Sequence, residues 1–250
     1  CALPIFCNIN ESYKKEKKFE NLFLEKKVIK KNYRLGDMVR SKPHRKQNNT
    51  AEYHLKFFPN SIASKYLQKT QEQNNIDVLI DILSLPLFST LKKPKDNEIV
   101  IHIRGGDVLN PYYLRTKIGY KNYNIDTILK SKYTHSNWVF NVKKYQYYKD
   151  ILDRITLIDK NLKNIVMVNG CHTVFKNSDY DRNKIYVKKL YNFFESNGFN
   201  VVDIRYNEDA DEDFYYMCNS KYFVPSGGGY SELIRQIVEK KGNKTKIGRA

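Results

Sequence analysis

The apolar and polar positions of this chain change rhythm along its length. In the second half the rhythm is regular. Ile99–Ile103 is a nearly continuous apolar, β-branched run, which predicts a strand buried on both faces. In Val142–Ile155, Tyr145, Tyr148, Ile151, Leu152 and Ile155 recur at a spacing of three to four, which predicts an amphipathic helix. Asn164–Val168 predicts a second buried strand. Lys184–Ser196 predicts a helix stopped by Asn197-Gly198. A strand over Val201–Tyr206, a short helix over Asp211–Asn219, a strand over Tyr222–Val224 and a helix over Tyr230–Glu239 follow. Strand and helix alternate four times with short loops. This pattern predicts a parallel, doubly wound α/β sheet.

The first half is less regular. Phe19–Lys31 suits either strand or helix. Lys42–Gln47 reads as a basic loop. Ile62–Gln71 and Ile76–Leu85 read as helices, with Pro86 ending the second. Leu91–Asn97 reads as a linker. The expected organisation is an N-terminal lobe over residues 1–95, a sheet-bearing lobe over 96–242 and a polar, mobile tail over 243–250. The chain lacks an initiator Met, so the N-terminal lobe is read as truncated, with an upstream anchor or strand missing.

Composition narrows the function classes. No apolar run approaches the ~18–20 residues of a transmembrane helix. That favours the cytoplasm; a Golgi lumen location would require an anchor removed upstream. The formal net charge of +17 suggests a polyanionic partner. Most of the Lys pairs nevertheless fall on solvated helix faces. The Cys residues at 1, 7, 171 and 218 have neither C-x-x-C nor zinc spacing, so no metal site is expected. Asn10, Asn48 and Asn243 begin N-x-S/T triplets, near chance level in an Asn-rich chain.

Two stretches carry candidate chemistry. Ligands of parallel sheets bind at the carboxyl ends of the strands. His102, Arg104, Gly105, Gly106 and Asp107 lie at or just past such an end. Strand alternation aims His102 and Arg104 to one side, and an Arg there can grip phosphate oxygens bidentately. Two Gly permit a tight turn and a close backbone approach to a ligand. The competing assignment is an Arg–Asp salt bridge capping a turn, with His102 in the core. In the second stretch, Phe223–Leu233, a strand gives way to Ser226-Gly227-Gly228-Gly229 and a helix beginning near Tyr230 or Ser231. A helix N-terminus with Gly before it suits an anion. Ser226 and Ser231 can donate to phosphate; capping by Ser231, with Glu232 in the first turn, is the competing assignment. No Gly-Lys-Ser/Thr follows, so this is no Walker loop. It stands after the last strand with no later ribose-binding acid, so a dinucleotide fingerprint is disfavoured too. Asp211, Glu212 and Asp213 open the preceding helix and suit its dipole.

The segments "HIRGGD", "YYKDIL" and "DEDFYYMCNSKYFVPSGGGYSEL" resemble, in order and spacing, the fucosyltransferase superfamily over about Ile99–Leu233. The α-1,2 type is the nearest likeness, with the α-1,6 and protein O-fucosyltransferases further off. The resemblance implies an inverting, metal-independent glycosyltransferase of GT-B type with two Rossmann-like lobes. The C-terminal lobe would bind a nucleotide sugar, GDP-fucose first among donors, for transfer to a glycan acceptor. It implies that Arg104 holds the pyrophosphate, that His102 contacts the nucleotide, and that Ser226 and the following glycines cradle phosphate. The sequence departs from the family pattern at Gly105, where a second Arg is usual, at Ser226–Ser231, and at Asn169-Gly170-Cys171. These departures leave UDP-xylose open as an alternative donor. Asp107 is the first candidate for catalytic base, with Asp37 behind it, and Tyr112 and Tyr113 are candidates to stack on the acceptor sugar. A basic nucleic-acid-binding module and a non-catalytic carbohydrate-binding relic are the rival classes.

Overall fold

A computed structural model of the chain describes residues 14–15, 17–22, 76–105, 109, 125–130, 142–170, 177–227 and 229–245. Four strands form one sheet: β1 (Glu98–Arg104), β2 (Asn164–Gly170), β3 (Asn200–Tyr206) and β4 (Tyr222–Val224). Every pairing is parallel, in the order β3-β2-β1-β4. The helices are α1 (Ile76–Leu83), α2 (Ile125–Lys130), α3 (Tyr145–Ile158), α4 (Asn177–Ser196), α5 (Ala210–Cys218) and α6 (Gly229–Lys240). Residues 14–15 and 17–22 are also helical.

Alternation along the strands builds two cores. Ile99, Ile101 and Ile103 of β1 join Ile165 and Met167 of β2 on the first face, under α2, α3 and α4. Val100, Val166, Val168 and Phe223 point the other way, under α1, α5 and α6. Helices on both faces explain why β1 is buried from Glu98 to Ile103 and carries no polar-out alternation. Each fully buried aliphatic or aromatic side chain contributes about 1.5–3 kcal/mol. Residues on both sides of the boundary expected at 91–97 share these cores. Phe19 packs on Tyr191 in the first, and Leu79, Leu83 and Phe88 pack in the second.

The elements expected from periodicity in the second half, and the helix from Ile76, are present with shifted ends; the helix expected over Ile62–Gln71 and the loop over Lys42–Gln47 lie outside the described residues. Helix α3 buries Tyr148, Ile151, Leu152 and Ile155, but it starts at Tyr145 because Lys144 is extended. Helix α4 begins seven residues before the expected Lys184. Its first turns are polar, and Asn183 within them is fully buried. Apolar spacing could not reveal a helix whose inner face is held by amides. Helix α2 carried no clear signal.

Candidate active site at the sheet's switch point

The strand order reverses between β1 and β4: the chain moves outward through β2 and β3, then returns to the far side of β1. That crevice is where open parallel sheets bind ligands. The two segments singled out above end there. β1 closes with Arg104-Gly105, and β4 leads into Pro225-Ser226-Gly227.

Side chains tie the two ends together. His102 Nδ1 and Ser226 Oγ share a hydrogen bond of 2.9 Å. The edge of Tyr230 meets the His102 ring at 5.6 Å, and Phe214 backs Tyr230 at 5.6 Å. Ser226 N–H donates to Ser231 Oγ at 3.0 Å, which closes the turn before α6. Ser226 and Ser231 are both buried, so their hydroxyls build the loop from within. Gly227 has φ +93°, a region that L side chains rarely adopt. The half-buried Arg104 lies at the rim, two residues beyond His102 on the same face of β1.

Gly105 has a structural reason to be glycine. A Cβ there would lie 1.9 Å from Asn183 Oδ1 and 2.9 Å from Asn169 Nδ2. These amides knit the carboxyl ends of three strands. Asn169 Nδ2 donates to the Ile103 carbonyl at 2.7 Å, and Asn183 Nδ2 donates to Asn169 Oδ1 at 2.6 Å. Asn183 Nδ2 also reaches Tyr206 Oη at 3.2 Å. Asn207 N–H donates to the Asn169 carbonyl at 3.0 Å, with Asn207 itself at φ +53°. Each broken link would strand a polar group away from water; Asn183 Oδ1 is already buried without a hydrogen-bond partner. The sequence reading marked Asn169 only as a departure from the family pattern and missed Asn183 as a site builder. The available signal was an Asn closing an otherwise apolar strand.

Tyr147 of α3 was also missed. Its hydroxyl donates to the Pro225 carbonyl, which fastens α3 to the β4–α6 turn across the crevice. Burial pushes this phenol up to about 12, so it remains a donor at neutral pH.

Of the expected site residues, the structure thus brings together His102, Arg104, Gly105, Ser226, Gly227, Gly229, Tyr230 and Ser231 around one crevice. Gly106, Asp107, Gly228, Tyr112, Tyr113 and the secondary candidate Asp37 lie outside the described residues.

The acidic start of α5 has two roles. Asp209 caps the helix, accepting from the N–H groups of Asp211 (2.9 Å) and Glu212 (3.4 Å). Asp213 is buried and paired with Arg205 at 2.8 Å. Burial pushes its carboxyl up to about 7 against the pull of that guanidinium. Arg205 lies over the Tyr216 ring at 4.5 Å, and Tyr216 Oη donates to Glu98 at 3.2 Å. A cavity of about 260 Å³ opens beside this network, lined by Leu91, Lys92, Asp203, Arg205, Glu208 and Glu212. It lies by β3, two strands from the switch point. Its cations are already engaged by Asp203 and Asp213. We therefore place the candidate site at the crevice. Among the described residues, no group of three or more His, Cys, Asp or Glu side chains could hold a metal. Burial raises the Cys218 thiol well above its usual range, which makes it a poor nucleophile.

The fold therefore defines an α/β protein with a four-stranded, all-parallel, Rossmann-like sheet and a built crevice at its switch point. No protein-family model matches the chain, and no curated protein matches it significantly. Among the described residues, no helix is long and apolar enough to cross a membrane.

Proposed function

We propose that this protein is an inverting, metal-independent glycosyltransferase of GT-B type that moves a sugar, fucose from GDP-fucose first, onto a glycan hydroxyl. The observation that carries the reading is the 2.9 Å contact between His102 and Ser226. It unites, at the switch point, the first and last of the three segments whose order and spacing resemble the fucosyltransferases.

The chemistry follows from the charges. Transfer releases a nucleoside diphosphate, and negative charge builds on its oxygens as the anomeric carbon departs. Donors fixed beforehand stabilise that charge most, because they need no reorganisation. Arg104 and the N-terminus of α6 supply such donors on the second face of the sheet. His102, held by Ser226 and Tyr230, contacts the nucleotide. Asp107 is assigned to take the acceptor's proton as general base, while Tyr112 and Tyr113 carry the acceptor sugar.

Calorimetric titration and thermal shift with GDP, GDP-fucose, UDP and UDP-xylose, each with EDTA and with Mg²⁺ or Mn²⁺, test the proposal. Metal-independent binding of one nucleotide, abolished in Arg104→Ala, is the expected result; a bound ligand raises the melting temperature by mass action. A folded protein that binds none of them refutes it. Hydrolysis of the bound donor separates an enzyme from a binding relic.

A further inference from the structure

Two further cations stand at the start of helices on the first face, at the same edge of the sheet. α3 and α4 both run antiparallel to the strands, so both begin at the carboxyl edge of the sheet. Lys143 stands two residues before α3, half-buried, with its Nζ 5.0 Å from the centre of the Tyr147 ring. That tyrosine is the one bonded to Pro225, next to Ser226. Arg182 lies on α4, directly before the Asn183 that touches Gly105. The segments that carry the two cations touch each other. Tyr186 Oη donates to the Lys143 carbonyl at 3.2 Å, and Arg182 sits one helical turn before Tyr186, nearer the crevice.

Their surroundings differ from those of Lys184 and Lys189 on the same face. Lys184 pairs with Glu20 at 3.3 Å, and Lys189 pairs with Asp126 at 2.8 Å. Among the described residues, neither Lys143 nor Arg182 has a carboxylate partner. Arg182 Nη1 is buried without an acceptor. A buried, unpartnered donor on a charged group is costly. Burial also lowers the pKa of Lys143, with no carboxylate to oppose it. An anion entering between these two side chains would relieve both costs.

We infer that Lys143 and Arg182 form the second half of a diphosphate clamp: from the first face of the sheet they take the oxygens of one phosphate, while Arg104 and the start of α6 take the other from the second face. The inference rests on the glycosyltransferase reading for the nucleoside, and on geometry for the anion. It makes the crevice selective for a diphosphate over a monophosphate, because only a diphosphate spans both halves.

The test is titration of the wild type, Lys143→Gln, Arg182→Gln and the conservative Lys143→Arg with GDP, UDP, GMP and inorganic pyrophosphate. The Gln variants should match or exceed the wild-type melting temperature, since each removes a charge that burial disfavours and that has no carboxylate partner. Each should lose roughly tenfold or more in affinity for the diphosphate and pyrophosphate, and much less for GMP, with Lys143→Arg largely restoring binding. Variants that bind the diphosphate as tightly as wild type overturn the inference. Wild type that binds pyrophosphate through Lys143 and Arg182, but neither GDP nor UDP, overturns the glycosyltransferase reading and leaves the clamp standing. Wild type that binds no phosphate ligand overturns both.

Discussion

His102 and Ser226 stand 124 positions apart in the chain, yet their side chains share a buried 2.9 Å hydrogen bond. The bond spans the gap beyond the last β1–β4 backbone pairing, which ends at Ile101–Val224. It continues, through side chains, a sheet that the backbone has already left. Replacing Ser226 by Ala should strand a buried imidazole nitrogen and cost about 1–3 kcal/mol in urea unfolding. It should also weaken nucleotide binding. A variant as stable as wild type would show that the contact does not hold the turn.

Gly105 is held to glycine by Asn183. Gly105→Ala should overpack the amide network by about 1–3 kcal/mol. Asn183→Ala should also destabilise, since it empties a buried amide site. The double variant should cost less than the two single costs together, because the clash vanishes with the amide. Strict additivity in a double-mutant cycle would remove the Asn183 explanation for Gly105.

Tyr147→Phe keeps the ring and deletes one donor to Pro225. A loss of about 0.5–1.5 kcal/mol is expected. Faster amide exchange is expected at the turn between β4 and α6, because α3 no longer anchors it. Exchange changes confined to α3 would mean that the hydroxyl does not couple the two elements.

Asp213 makes stability depend on pH in an unusual direction. Its carboxyl is raised from 3.8 to about 7 in the folded protein, so between those values the folded state binds more protons than the unfolded one. Its contribution to stability is therefore full below about pH 4, falls as pH rises toward 7, and is level above. Relative to Asp213→Asn, wild type should lose up to about 1.4 kcal/mol per pH unit across that window. Denaturant titrations from pH 4 to 8 give the difference directly. A wild type that gains on the variant as pH rises would mean that Arg205 outweighs burial.

Much of this was legible in the residues alone. The apolar run Ile99–Ile103 can be buried only between two layers, and the repeated strand–helix alternation leaves a parallel sheet as its simplest packing. Gly227 shortly before a helix, and Arg104-Gly105 after an apolar run, marked the strand ends in this chain. Local composition fixes such features because backbone freedom and side-chain polarity act within a few residues. Helix α4 shows the limit. Its first two turns are polar, and their burial depends on Asn169 and Tyr206, contacts that no local pattern encodes.

The chain by itself determined the class of fold, the strand ends that carry His102, Arg104 and Ser226, and the basic charge. Only the tertiary structure decided that β4 lies beside β1, because strand order depends on which faces the helices cover across the whole sheet. That order made one crevice of two distant segments and turned the Ser226 and Ser231 hydroxyls inward. It also brought Tyr147 to the Pro225 turn and the buried Asn183 to Gly105, contacts that no local pattern of apolar and polar positions encodes.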